Sequence, residues 1–347
     1  MHRPQPAPTA KTMAHRPSLE KLNLAQRAAV RTLSGPLLVL AGAGTGKTRV
    51  VTYRIAHLLS NRVNAERILG VTFTNKAAEE MQQRIGQLLP RKQKRPEIST
   101  FHSFCVRVLR RQIHELGFPE QFSIYATSQQ ETVITQVLHE LAGRTIDARP
   151  ADLLYRISRW KSSSISPPQA LELATNDLDE LAARVFRTYQ QRMRALAAVD
   201  FDDLLLLTEE LLRTRPKVRR EESSRFDHIL VDEYQDTYRC QYQIVKWLAA
   251  GHRNLCVVGD DDQSIYAWRG AEVQHILSFK KDWPEAKIVR LEENYRSAGS
   301  IIKFANRLIQ CNALRHPKTL RAARGPGRQP RVLRCPDEFE EAKAVVS

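Results

Sequence analysis

One stretch decides the fold of this chain, Leu37-Leu-Val-Leu-Ala-Gly-Ala-Gly-Thr-Gly-Lys-Thr48. Its apolar first half predicts a buried strand, and the following segment, 49–59, carries apolar residues at helical spacing. The intervening glycines allow a tight turn whose peptide N–H groups point at phosphate oxygens, next to the favourable partial charge of a helix start. The stretch therefore predicts a strand, a phosphate-binding loop and a helix.

Each loop position has a predicted role in binding a nucleotide. Lys47 can reach the β- and γ-phosphates, and the Thr48 hydroxyl can ligate Mg²⁺. The general phosphate-loop pattern begins with glycine where this chain has Ala41, so only the narrower A-x-x-G-x-G-K-T form fits. The predicted nucleotide-binding residues of the loop are Ala41, Gly42, Ala43, Gly44, Thr45, Gly46, Lys47 and Thr48.

A second motif places two carboxylates after an apolar run. The run His228–Val231 predicts a buried parallel strand, and Asp232 and Glu233 follow it directly. Ligands bind beyond the carboxyl ends of strands in such sheets, so Asp232 is expected to hold Mg²⁺ and Glu233 to deprotonate the attacking water. The alternative interpretation is a solvated acidic turn after a core strand.

The order of motifs along the chain resembles the UvrD/Rep/PcrA family of superfamily 1 DNA helicases, and within it the Rep-like members. The resemblance covers the chain from about Leu22 onward. It implies ATP and Mg²⁺ as cofactors, single-stranded DNA and single-strand/duplex junctions as partners, and repair or replication proteins as further possible partners. The motifs that carry it are Gln26, Ala41–Thr48, Thr72–Ala78, Thr100–Phe104, Asp232–Thr237, Gly259–Ala271 and Glu293–Ser297.

The resemblance also implies roles around the nucleotide that the residues alone would not predict. Gln26 would bond the two edges of adenine, and Arg49 would lie near the base. Gln263 would sense the γ-phosphate and connect it to the DNA-binding part of its motif. Tyr295 would stack on adenine, and Arg296 would touch the γ-phosphate.

Aromatic residues in polar motifs just beyond the strand ends predict a surface for single-stranded nucleic acid. Such surfaces combine stacking rings with a cationic track. Trp268 is the strongest candidate, since the resemblance implies that it stacks on a base, whereas Phe101 is equally well explained as a core residue. The predicted DNA-binding residues are the rings Phe73, Phe101, His102, Tyr266 and Trp268, with Thr74, Asn75 and Arg269 as contacts to the phosphate backbone of the DNA.

Composition agrees with a nucleic-acid partner. The net charge is +16 over 347 residues, and no apolar run approaches the length of about 18 residues that a membrane span needs. The five cysteines contain no C-x-x-C pair, so neither a zinc site nor a disulfide framework is predicted. We therefore expect a cytoplasmic protein that does not contact a membrane.

The predicted fold class is α/β, a RecA-like parallel-sheet P-loop NTPase domain with a helical insertion and the start of a second RecA-like domain. Six apolar runs predict the strands of one parallel sheet. A helical pattern fills the long stretch 111–198, which separates the third run from the fourth. The predicted domains are a disordered tail (1–17), motor domain 1A (18–110 and 199–291), insertion 1B (111–198) and the beginning of domain 2A (292–347). Within the last, Arg331–Arg334 is a possible strand.

Two functions from different classes follow. The first is an ATP-dependent DNA helicase or translocase that moves 3′-to-5′ and hydrolyses ATP in response to single-stranded DNA. The second is a nucleotide-responsive single-stranded DNA-binding module with little or no unwinding. The second function rests on the expectation that a chain ending at Ser347 lacks the later motifs of domain 2A, which unwinding needs.

Overall fold

The structure is a computed structural model that describes residues 18–90, 93–142 and 148–346. The predicted tail, 1–17, lies outside the described residues. In chain order the strands are β1 (Leu37–Ala41), β2 (Ile68–Thr72), β3 (Glu97–Thr100), β4 (Ser123–Ile124), β5 (Ala198–Val199), β6 (His228–Val231), β7 (Leu255–Gly259), β8 (Lys287–Leu291), β9 (Glu293–Asn294) and β10 (Arg321–Ala322).

The helices alternate with these strands and pack on both faces of the sheet. In chain order they are α1 (Leu24–Arg31), α2 (Lys47–Ser60), α3 (Asn75–Leu88), α4 (Phe101–Gln112), α5 (Thr127–Ala142), α6 (Pro150–Ser162), α7 (Pro167–Glu172), α8 (Asp177–Ala195), α9 (Phe201–Thr214), α10 (Pro216–Ser224), α11 (Arg239–Ala249), α12 (Gln274–Leu277), α13 (Phe279–Asp282), α14 (Gly299–Ile309) and α15 (Glu338–Val346). In the described parts of the chain, no helix combines the length and hydrophobicity needed to cross a membrane.

The six predicted strands form one parallel sheet in the order β3-β2-β6-β7-β1-β8, which confirms the predicted fold class. Strand β1 is buried along its whole length because both of its faces are covered. Leu37 and Val39 pack with α1, α2 and α3, whereas Leu38 and Leu40 pack with α4, α9 and α11. A run of apolar residues without alternation is what such a doubly covered strand requires.

Parallel pairing brings the functional motifs to one edge of the sheet. Leu40 lies opposite Gly259, and Val231 lies opposite Val257. Strands β1, β6 and β7 therefore end side by side, so the loop after Ala41 and the carboxylates after Val231 lie on the same side of the sheet.

The stretch between β3 and β6 is mainly helical, and within it α5, α6 and α8 build a core of their own. Helix α8 begins after Asn176, whose side chain accepts the Asp179 N–H, and Arg192 and Arg194 lie in its last turn. Lys161 of α6 is fully buried between Asp200 and Asp203 at the start of α9, at 2.6 and 2.7 Å. This ion pair ties the helical stretch to the core of the sheet. The helical pattern predicted for this stretch is interrupted by two short strands, β4 and β5, which pair in parallel.

The part of the chain after β8 is more open. Strand β9 pairs in parallel with β10, and α14 packs above them while exposing Ile301, Phe304 and Leu308. The possible strand at Arg331–Arg334 is absent, because that segment is exposed and pairs with no strand of the described chain.

Candidate nucleotide site and nucleic-acid surface

The loop between β1 and α2 has the backbone that its glycines predict. Gly44 and Gly46 have φ angles of 67° and 88°, in the left-handed region that side-chain-bearing residues rarely adopt. Thr45 closes the turn, since both its N–H and its hydroxyl donate to the Gly42 carbonyl, at 3.3 and 2.7 Å. The first N–H groups of α2 have no partner within the helix, so the loop ends at a site suited to an anion.

Gln26 lies against this loop, and its amide already has protein partners. The Gln26 Nε2 donates to the Thr45 carbonyl at 2.9 Å, and its Oε1 accepts the N–H of Asn23 at 3.2 Å. The side chain is 1% exposed. The observed role of Gln26 is thus to brace the loop and cap α1, and recognition of adenine would require it to exchange these hydrogen bonds.

Lys47 and Glu233 meet across the edge of the sheet. The Lys47 ammonium lies 2.5 Å from Glu233 Oε2. Glu233 has φ 51° and ψ 46°, a left-handed conformation that is uncommon for a residue with a side chain. This turn directs the side chain that follows Asp232 towards the loop, so two residues 186 positions apart become direct neighbours.

Asp232 supplies a second, more buried carboxylate. Burial, followed by the nearby charge of Glu233, raises its pKa to about 6. One carboxylate oxygen of Asp232 accepts the Glu233 N–H at 3.0 Å. Within the described chain, no residue hydrogen-bonds the Thr48 hydroxyl. A carboxylate and a hydroxyl are hard oxygen donors of the kind that Mg²⁺ prefers, so Thr48 and Asp232 fit the ion predicted from the sequence.

Gln235 connects Glu233 to the next strand. Its Nε2 donates to Glu233 Oε2 and to Asp236 Oδ2, both at 3.0 Å, while its Oε1 accepts the Asp260 N–H at 2.9 Å. Gln263, the predicted γ-phosphate sensor, donates from its Nε2 to the Asp260 carboxylate. The structure therefore joins Gln263 to Glu233 through Gln235 and Asp260, and not by direct contact.

Residues after β8 form hydrogen bonds with the phosphate loop. The Asn294 amide donates to the Ala43 carbonyl at 2.6 Å, and the Tyr295 N–H donates to the Gly44 carbonyl at 2.9 Å. A Cβ at Gly44 would lie 2.7 Å from the Cβ of Arg296, so glycine is required for this close approach. The Arg296 side chain is exposed beside the loop. Tyr295 and Arg296 are thus placed next to the phosphate loop.

Arg49 and the Tyr295 ring lie at the outer side of this site. The Tyr295 hydroxyl donates to Glu293 at 2.7 Å and accepts from Asn23 at 2.9 Å. Arg49 donates to the Lys21 carbonyl at 2.8 Å. Burial, followed by the hydrogen bond to Glu293, raises the pKa of the Tyr295 hydroxyl, whereas the charge of Arg49 lowers it. Their position is compatible with the predicted contacts to a base.

A separate group of aromatic residues lines a cleft of about 470 Å³ on the same edge of the sheet. The rings of Phe73 and Tyr266 are stacked, with centroids 5.3 Å apart. Trp268 is 64% exposed, and the Arg269 guanidinium lies 5.1 Å from its ring centroid. A large exposed ring beside a cation is the combination that unpaired bases need for stacking.

The remaining predicted DNA-binding residues lie beside these rings. Thr74 caps α3 by accepting the Ala77 N–H, and Asn75 begins that helix. His102 is largely buried, which lowers its pKa, and its ring lies 6.1 Å from that of Phe201. Phe101 is 4% exposed and belongs to the core, although part of it still lines the cleft.

Several site residues were not singled out from the sequence. Gln235 and Asn294 lie inside motifs that were recognised, but only the fold shows which groups their amides join. Phe201, 53% exposed at the start of α9, borders a groove together with Phe73 and His102. The sequence signal that could have identified it is a phenylalanine directly after Asp200, a residue type that favours the cap of a helix.

Comparison with known proteins supports a single family. The model of the UvrD/REP helicase N-terminal domain matches residues 22–284. The chain is 43% identical over 332 residues to the ATP-dependent DNA helicase PcrA of Staphylococcus aureus strain Mu50, and equally so to that of Staphylococcus epidermidis strain RP62A. The match covers 94% of this chain and 45% of each relative, so the chain spans about half the length of the curated relatives it matches. The chain belongs to the UvrD/REP helicase family.

Proposed function

We propose that this protein hydrolyses ATP and uses the reaction to move along single-stranded DNA in the 3′-to-5′ direction, as a helicase or translocase. The observation that carries the proposal is the contact between Lys47 of the phosphate loop and Glu233, with Asp232 beside them. A cation, a candidate base and a candidate metal ligand converge there beyond the strand ends, where nucleotides bind in parallel sheets.

In the proposed reaction, the loop and Lys47 hold the triphosphate, and Mg²⁺ bound by Thr48 and Asp232 would neutralise part of its charge. Entry of a γ-phosphate would compete with Glu233 for the Lys47 ammonium. Glu233 then accepts a proton from water, whose oxygen bonds to the γ-phosphorus while the bond to the β–γ bridging oxygen breaks. The products are ADP and inorganic phosphate, and Arg296 would stabilise the charge on the transferred group.

The two predicted binding regions belong to connected loops. Gln263 lies five residues before Trp268, and Asp260 anchors Gln263 while its N–H is held by Gln235. A change at Glu233 can therefore reach Gln263 through hydrogen-bonded residues, and Gln263 lies in the loop that carries the exposed ring. This continuity supports coupling between hydrolysis and the grip on single strands or on single-strand/duplex junctions.

We also propose the domain division predicted from the sequence. Two of the three hydrophobic clusters cover the two faces of the sheet, which supports a motor domain 1A of 18–110 and 199–291. The third cluster begins at Val133 and supports an insertion within 111–198. The small β9–β10 sheet supports the start of a further domain at about residue 292. A cytoplasmic location is part of the same proposal.

A nucleotide-responsive single-strand-binding module is the second candidate function. The phosphate loop and the exposed Trp268 ring would suffice for it, because binding of both ligands needs no second domain, whereas a motor needs two domains that close and reopen around the nucleotide. ATP turnover measured with and without single-stranded DNA tests the first function, and a strand-displacement assay with an Asp232→Ala control separates the two. DNA-stimulated turnover with displacement supports the helicase, whereas binding of both ligands without displacement supports the module.

Trp268→Ala should weaken binding of single-stranded DNA by about 1–3 kcal/mol, the value of one lost stack. The dependence of affinity on salt concentration should stay the same, because it is set by the number of DNA phosphates that the protein neutralises. Ile265→Ala is a matched control, since Ile265 is 69% exposed in the same loop but has no ring. Fluorescence titrations at several salt concentrations measure both effects. Full affinity in Trp268→Ala would place the stacking surface elsewhere.

A further inference from the structure

Three consecutive aspartates after β7 surround one lysine from the far end of the described chain. The Lys318 ammonium lies 2.8 Å from Asp260, 2.5 Å from Asp261 and 2.7 Å from Asp262. Lys318 is 7% exposed, and Asp260 and Asp261 are 2% and 6% exposed. We call these four residues the aspartate–lysine clamp.

Most of the clamp is buried, so its charges depend on one another. Burial alone would lower the pKa of Lys318. The neighbouring carboxylates outweigh this effect, so the pKa of Lys318 is raised. Arg315 adds a bidentate pair to Asp262, with both N–O distances at 2.8 Å, and the His316 N–H donates to Asp261 at 2.5 Å. Removing a cation from such a cluster would leave buried carboxylates in mutual repulsion.

The residues around the clamp also reach the nucleotide site directly. A side chain at position 42 would clash with Leu320, so the segment 315–322 packs against the phosphate loop as well as against the aspartates. Strand β10, at the end of this segment, pairs with β9, which leads into Tyr295 and Arg296. The segment 315–322 therefore borders the proposed nucleotide site on two sides, at the phosphate loop and, through β9, at Tyr295 and Arg296.

Asp260 connects the clamp to the reacting groups. Its carboxylate holds the Gln263 amide, and its N–H is held by Gln235, which in turn donates to Glu233. Because Lys318 bonds one oxygen of Asp260 while Gln263 bonds the other, the position of Gln263 depends on the ion pair.

We propose that Lys318 is a positioning residue that acts through Asp260 on Gln263 and Glu233, and so makes hydrolysis depend on docking of segment 315–322 against the sheet. The inference rests on the proposed ATPase function. Lys318 itself does not touch Lys47, Glu233 or the loop glycines, so it should affect the chemical step and not the binding of nucleotide.

The test compares Lys318→Met, which keeps the length of the side chain but not its charge, with Lys318→Arg, which keeps the charge. We expect Lys318→Met to lower kcat for ATP about 10–100-fold, the size of loss typical of groups that orient the ligands of a metal site. KM for ATP should stay unchanged, and Lys318→Arg should restore much of kcat. Arg321→Ala is the matched control, because Arg321 follows Lys318 by three residues and its side chain forms an exposed pair with Glu292.

Hydrogen exchange without nucleotide gives a second readout. Amides of 259–264 should exchange faster in Lys318→Met, and Arg321→Ala should leave them at the parent rate. If Lys318→Met does not fold, Lys318→Gln replaces it, since the amide keeps a donor without the charge. An inactive parent would defeat the proposed ATPase function, and the exchange rates would then decide on the clamp alone.

Parental kcat and parental exchange in a folded Lys318→Met would overturn the proposal. An equal loss in kcat and in affinity for ATP, without rescue by Lys318→Arg, would overturn it too, because that pattern indicates general damage to the fold.

Discussion

Replacing Lys47 with alanine should reduce ATP turnover about 10²–10³-fold, the loss seen when a single preorganised donor to a developing negative charge is removed. Lys47 is the cation that the structure places between the phosphate loop and Glu233. Its loss would leave the phosphates without that partner and would leave Glu233 without its ion pair. Nucleotide affinity should fall as well, because the ammonium contacts the substrate in the ground state and in the transition state.

Isothermal titration with ATP and Mg²⁺, together with steady-state turnover, measures both effects of Lys47→Ala. Lys94→Ala is a suitable control, since Lys94 also pairs with a glutamate, Glu66, but is 74% exposed and remote from the loop in sequence. The control should behave as the parent does, because exposed ion pairs contribute about 0–1 kcal/mol. Parental binding and turnover in Lys47→Ala would show that the loop does not hold the triphosphate.

Much of the fold could be predicted from the sequence because its strands are buried on both faces. Runs such as Leu37–Ala41 and Leu255–Gly259 contain only apolar residues and glycine, and no amphipathic helix would present that pattern. The ends of the strands were less predictable. The apolar run Ile98–Phe101 extends one residue beyond β3, and Phe101 begins α4, because Thr100 caps that helix by accepting the Ser103 N–H.

Contacts between distant residues lay beyond the sequence. The three aspartates 260–262 indicate that a cation is needed, but nothing in their neighbourhood identifies Lys318, since that residue follows a proline in an irregular segment. Gln26 shows the opposite case. Its position before the first strand matched the family pattern, yet the structure uses its amide to brace Thr45 and Asn23. A motif fixes the residue type, and only packing decides which hydrogen bonds that residue makes.

Glu233→Gln should separate binding from hydrolysis. The amide is nearly isosteric with the carboxylate, but it cannot accept a proton from water, so turnover should fall about 10²–10⁴-fold. Binding of ATP with Mg²⁺ should persist through Asp232 and Thr48. It should be at least as tight as in the parent, because Lys47 no longer has to leave a carboxylate 2.5 Å away.

The role of Glu233 is decided by comparing the loss of ATP turnover with the loss of ATP binding in Glu233→Gln. A variant that binds as the parent does and no longer hydrolyses identifies Glu233 as the base, whereas a loss of binding equal to the loss of turnover would identify it as a structural partner of Lys47. Glu285→Gln serves as the control, since Glu285 pairs with Arg253 on the surface. Hydrolysis at the parent rate by Glu233→Gln would transfer the role of base to another group, and Asp236, at 3.0 Å from the same Gln235 amide, would be the next residue to replace.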